Sequence, residues 1–185
     1  MHRRLILLYA VFAGGCFAGT VLYSNSENVL SEYIKTALER ILEAGFSQNM
    51  GITSAMCLIP QIITVLCSFS ALGLPFILLC PAVCSMALSA LISYLYCNFG
   101  VDGAVFSLIL VLPCAVVFFV MLLIGANEAL ILSEVVAGSV FISRRQGRVE
   151  LKGFLLRFVI IIAVCLAVAA LQAFCISKFG KALLF

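Results

Sequence analysis

Between Leu5 and Ile176 the chain returns repeatedly to one pattern: an unbroken apolar run of about 18 residues or more, then a short polar or glycine-rich break. An α-helix of about 20 residues crosses a hydrocarbon core of roughly 30 Å. The runs are continuous rather than alternating, which argues against the strands of an outer-membrane barrel. Pro and Gly occur inside them, as lipid-embedded helices tolerate. Of the 185 residues, 65% are hydrophobic and 10% charged. Soluble domains carry about 45–50% apolar and about 25% charged residues, so a water-facing surface could not absorb the surplus. The sequence predicts an all-α, polytopic transmembrane helix bundle, a single integral membrane domain over residues 1–185.

Five spans are predicted, at residues 5–23, 52–72, 76–97, 104–125 and 153–176. The first follows His2-Arg3-Arg4. Ala13-Gly14-Gly15-Cys16 resembles the small residues before a lipidated Cys. The first position lacks the usual Leu, however, and the run continues through Tyr23, so a retained helix is the expectation. Gly15 and Gly19 form a small-xxx-small pair for helix packing. Ser85, Ser89 and Ser93 form a stripe along the third span, expected to pack helix on helix and hydrogen-bond across the seam. Gly73 and Pro75 separate spans two and three. Gly100 and Gly103 lie in a turn from Asn98 to Gly103, and Pro113 sits within span four. A straight helix from Ala104 to Ile142 would measure ~58 Å, about twice a bilayer core. A break at Gly125-Ala126-Asn127 is therefore expected, with an interfacial or re-entrant helix over 127–142.

Residues 24–50 form the one substantial polar region. Ser24 and Glu27 fit a capping box, and Leu30, Tyr33, Ile34, Leu38 and Ile41 recur at helical spacing. An amphipathic helix over about 26–44 is predicted, stopping near Gly45. Its apolar face either lies on lipid and neighbouring helices or docks a partner.

Charge placement sets the orientation, because Lys and Arg stay preferentially cytoplasmic. Arg3 and Arg4 put the N-terminus inside and the amphipathic helix outside. Five spans keep Arg144, Arg145, Arg148 and Lys152 inside; six would not. Arg157, about one turn into span five, can snorkel to the interface. Asn127, Glu128 and Glu134 are candidate interfacial polar residues, and an ion or proton role is the alternative for the two acids.

No catalytic, cofactor or metal constellation is recognisable. The single His is His2, and there is no Gly-rich phosphate loop. The nine Cys are odd in number and lie mostly in apolar runs, which argues for small hydrophobes over a disulfide framework. Cys80 and Cys84 share a helical face without a further ligand. Nothing suggests nucleic-acid binding; membrane lipids are the expected surroundings.

Three features together resemble the stage II sporulation protein M family. One is Phe12-Ala13-Gly14-Gly15-Cys16-Phe17-Ala18-Gly19 leading into the amphipathic stretch. The second is Ala71-Leu72-Gly73-Leu74-Pro75. The third is Asn98-Phe99-Gly100-Val101-Asp102-Gly103, followed by a run carrying Leu112-Pro113. Relatives often place a polar residue after that Pro, where this chain has Cys114-Ala115. The resemblance implies a non-enzymatic, multi-pass protein of the cell membrane in endospore-forming bacteria. It would act as a scaffold in engulfment, holding the peptidoglycan-remodelling stage II sporulation proteins D and P at the septal membrane. Shared fold need not mean shared role. A small-solute or ion transporter or channel is the alternative expectation.

Overall fold

The computed structural model describes residues 2–70, 73–141 and 151–184. Every element among them is helical: α1 (His2–Asn25), α2 (Glu27–Glu43), α3 (Phe46–Ser68), α4 (Leu74–Phe106), a π-helical turn (Ser107–Val111), α5 (Leu112–Phe141) and α6 (Leu151–Leu184). Among the described residues, four stretches are long and apolar enough to cross a membrane: Arg4–Asn25, Phe46–Ser68, Leu74–Val136 and Lys152–Gly180. Large apolar side chains such as Ile6, Phe17, Met56, Leu66, Leu108 and Leu156 point outward along them. A coat of that kind suits lipid and not water.

The longest stretch folds back on itself. Gly100 has φ 57° and ψ −123°, a region open essentially to glycine alone. Three residues later, Gly103 lies against the carbonyl of Leu95, so closely that a Cβ there would overlap it. In a continuous helix those residues would stand ~12 Å apart along the axis. The chain therefore reverses at Gly100 into two antiparallel arms. Tyr94 and Leu95 share a core with Phe106 and Leu110, and Ile77 shares another with Leu123, Ala126 and Leu130. The apolar helices number four as continuous elements and five when the reversal divides the longest. The predicted turn over Asn98–Gly103 thus becomes a reversal at one glycine, with helix on both sides. Gly100→Ala is expected to cost about 1–3 kcal/mol through backbone strain, read as a lower denaturation midpoint in detergent.

Other breaks have local causes. Gly73 is the N-cap of α4 and Pro75 lies in its first turn, where a missing N–H costs nothing. Pro113 removes a backbone donor and crowds the carbonyl of Ile109. The preceding turn widens, and Leu112 N–H bonds to Ser107 O in the π pattern. Ser24 belongs to the last turn of α1, and Ser26 caps α2 without a side-chain bond, so the expected Ser24–Glu27 box does not form.

The predicted break at Gly125-Ala126-Asn127 is absent. α5 runs unbroken from Leu112 to Phe141, and no separate helix begins at residue 127. Gly125 serves close approach instead: a Cβ there would stand 2.8 Å from Gln61 Oε1 and 3.5 Å from the Phe158 ring. At 30 residues α5 is ~45 Å long, and its later turns are built into the bundle by buried Ala126, Ala129, Leu130 and Leu132.

Among the described residues the core falls into three clusters. At one end, Leu8 of α1, Ile77 of α4, the later turns of α5 and Phe154 and Phe158 of α6 pack together. In the middle lie Cys57, Ile161, Cys165 and Ala169. At the other end, Tyr23 and Leu38 meet Tyr94, Leu95, Phe106 and Ile176. The starts of α1, α4 and α6 thus share one end of the bundle. The reversal, α2 and the last turns of α6 share the opposite end.

Candidate functional site

The contact between α1 and α4 is the closest in the bundle. Gly15 lies on Ser85 and the Ala82 carbonyl, and Gly19 on Ser89 and the Met86 carbonyl, with no room for a Cβ at either. The serine hydroxyls do not bridge the helices as expected. Ser85 Oγ donates to Ala82 O at 2.9 Å and Ser89 Oγ to Met86 O at 3.0 Å, both within α4. Their small size, not a cross-helix bond, lets the backbones meet. Ser93 is half-buried further along α4. Past the glycines, Asn98 Nδ2 donates to Tyr23 Oη at 3.2 Å, tying the end of α1 to the reversal.

The least expected feature is α3. Its buried residues are Asn49, Thr53, Cys57, Pro60, Gln61, Thr64 and Ser68, while Met56, Ile59, Ile62, Ile63 and Leu66 face outward. The helix is inside out relative to one in water. From Asn49 to Ser68 the polar seam spans ~28 Å, close to the thickness of a hydrocarbon core. Most of its groups are satisfied locally. Thr64 Oγ1 donates to Pro60 O at 2.8 Å, Ser68 Oγ to Val65 O at 2.6 Å, and Asn49 Nδ2 to Ala44 O at 3.2 Å. Contacts across helices are weaker: Gln61 Nε2 to Cys165 Sγ at 4.0 Å and Cys80 Sγ to Pro60 O at 3.6 Å. Gln61 Oε1 and Asn49 Oδ1 are buried with no partner. Fully buried Ala169 on α6 packs in the same cluster as Cys57 of this seam. The spacing of 49, 53, 57, 61, 64 and 68 is visible in the sequence once polar residues, not apolar ones, are placed on a helical wheel.

The end holding the start of α1 carries two ion pairs between helices. Glu134 of α5 pairs with Arg4 of α1, and Glu128 pairs with Arg157 of α6 at 2.6 Å. Ser133 Oγ donates to Ser70 O at 2.9 Å between them in sequence. Asn127 is half-buried, with Oδ1 unpartnered. Glu128 and Glu134 thus join three helices through ion pairs instead of lying on a separate interfacial helix. Arg157 reaches a carboxylate on the neighbouring helix. Arg144, Arg145 and Arg148 lie outside the described residues, and Lys152 is exposed.

The opposite end presents α2 with three faces. Leu30, Ile34, Leu38 and Ile41 turn into the core. Leu38 is buried there, and Leu30, Ile34 and Ile41 are half-buried against it. Tyr33 differs, at 81% exposed, on a second face with Val29 and Arg40. The third face carries Lys35, Glu39 and Glu43, all exposed, with Lys35 Nζ 3.9 Å from Glu39.

Among the described residues, no three His, Cys, Asp or Glu side chains gather as metal ligands. No family model, curated protein or solved structure matches the chain. What the fold defines by itself is a class, the multi-pass helical membrane protein.

Proposed function

We propose that this chain is a non-enzymatic membrane scaffold that crosses the cell membrane five times and recruits peptidoglycan-remodelling proteins, the role its resemblance to stage II sporulation protein M implies. The N-terminus is cytoplasmic by the placement of Arg3, Arg4 and the Arg144–Lys152 cluster, and α2 then lies outside. The observation that carries the reading is the mounting of α2. Its apolar face is anchored in the core, which holds Lys35, Glu39 and Glu43 in a fixed array on the extracytoplasmic side. A rigid charged face suits selective, reversible recruitment. The family-like motifs occupy positions that shape the bundle: the α1–α4 contact, the start of α4 and the reversal at Gly100.

The test is triple charge reversal, Lys35→Glu with Glu39→Lys and Glu43→Lys. Capture of a peptidoglycan-remodelling partner from sporulating cells should be lost while membrane levels of the protein hold. Undiminished capture would refute the docking role of this face.

One observation favours a second reading, a transporter of a small solute or ion: the polar seam of α3 that runs the depth of the bundle. Gln61→Leu separates the two. In a scaffold, replacing a buried amide that has an unpartnered oxygen by an apolar residue of similar size is near neutral or stabilising. Thermal stability should stay level or rise, and recruitment should persist. Solute flux in proteoliposomes that Gln61→Leu abolishes would support the transporter instead.

A further inference from the structure

Between α2 and α3 the bundle leaves an open groove of about 620 Å³. One wall is the second face of α2, with Val29 and Tyr33; the other is Ile52 and Met56 of α3. Met56 is 60% exposed and Val29 77%. Ile52 and Met56 lie ~9–15 Å along α3 from its start at Phe46, within the stretch long enough to span a membrane. At that depth an apolar cleft excludes water and admits hydrocarbon.

The same groove carries a cation. Arg40 lines it and pairs with no carboxylate among the described residues, while Glu39 is engaged by Lys35. Glu32 also lines the groove, but two helical turns away, ~12 Å along the axis, too far to neutralise the guanidinium directly. An apolar slot with an unpaired guanidinium matches a molecule that is hydrocarbon along its length and anionic at its head. A guanidinium binds phosphate oxygens through a two-pronged set of donors. Tyr33 adds an amphipathic ring of the kind that settles at the headgroup level.

We infer that this groove is a phospholipid site, with an acyl chain against Val29, Ile52 and Met56 and the phosphate on Arg40. The site is independent of the scaffold role, which uses the Lys35–Glu43 face of the same helix.

The test uses the full chain in detergent and native mass spectrometry, with dioleoyl phosphatidylglycerol as the probe. Dioleoylglycerol, which lacks the phosphate, and glycerol 3-phosphate, which lacks the chains, are the comparisons. Phosphatidylglycerol should bind at least about tenfold more tightly than either. Arg40→Gln should weaken it about tenfold, and Lys178→Gln, an exposed cation lost from α6 outside the groove, should leave it unchanged. Met56→Trp, which fills the apolar wall, should weaken it while Arg40 remains. Equal affinity in Arg40→Gln and wild type overturns the site, as does equal binding of dioleoylglycerol. Equal loss in Lys178→Gln also overturns it, by showing attraction to charge in general. A lipid-free dimer dissolved by Met56→Trp does so too, because a second copy would then be the occupant.

Discussion

Gly15→Leu and Gly19→Leu are each expected to prevent α1 from docking on α4. Both glycines touch backbone carbonyls of α4, at Ala82 and Met86, and backbone cannot swing aside as a side-chain tip can. A leucine must push the helices apart along their whole contact, at a cost of about 3 kcal/mol or more. The companion change Gly14→Leu sets the scale. Gly14 is one residue away, and a Cβ there would have nothing within 4 Å. Its leucine would face lipid and should alter stability by less than about 0.5 kcal/mol. The measurement is the denaturation midpoint in a mixed-micelle titration, with monodispersity on size exclusion. If the leucine at Gly14 lowers the midpoint as much as those at Gly15 and Gly19, the close contact is not where the structure puts it.

That contrast also shows what the sequence can and cannot disclose. The apolar runs are legible because a lipid-spanning helix must be apolar on most sides. Gly15, Gly19, Ser85 and Ser89 are legible as two narrow faces, but nothing local says that these faces meet each other. Gly125 is ambiguous in the sequence for a physical reason. Glycine serves both bending and close approach, and only the presence of Gln61 and Phe158 against it decides between them. The apolar face of α2 is plain in its periodicity, yet periodicity cannot say whether bundle, lipid or partner covers it. The polar seam of α3 is hidden for a different reason. Its Thr, Cys and Ser residues are weakly polar, and the isoleucines between them dominate any average taken along the chain. The reversal at Gly100 was visible as a glycine-bearing turn. Its compactness, one residue with helix on either side, follows from Gly103 fitting onto the Leu95 carbonyl.

Reversing the charge of Arg157 is expected to produce the second large loss. Glu128 is only 20% exposed on its side chain, whereas Arg157 is 63% exposed. The acid is thus the partner that depends on the pair, since it has less water to fall back on. Arg157→Glu sets two carboxylates against each other and leaves Glu128 without its cation, a loss of about 2 kcal/mol once the exposure of the arginine is allowed for. Glu128→Arg placed with it re-forms the pair in the opposite sense and should recover at least about half of that loss, the mark of direct coupling. The Arg4–Glu134 pair gives a contrast, with side chains 38% and 43% exposed. Reversing Arg4 should therefore cost less, about 1 kcal/mol. The ordering matters for topology as well as stability. The Arg157 pair fastens the start of α6 to the later turns of α5, at the end of the bundle where α1 also begins. If Glu128→Arg fails to rescue Arg157→Glu, the two helices do not meet there.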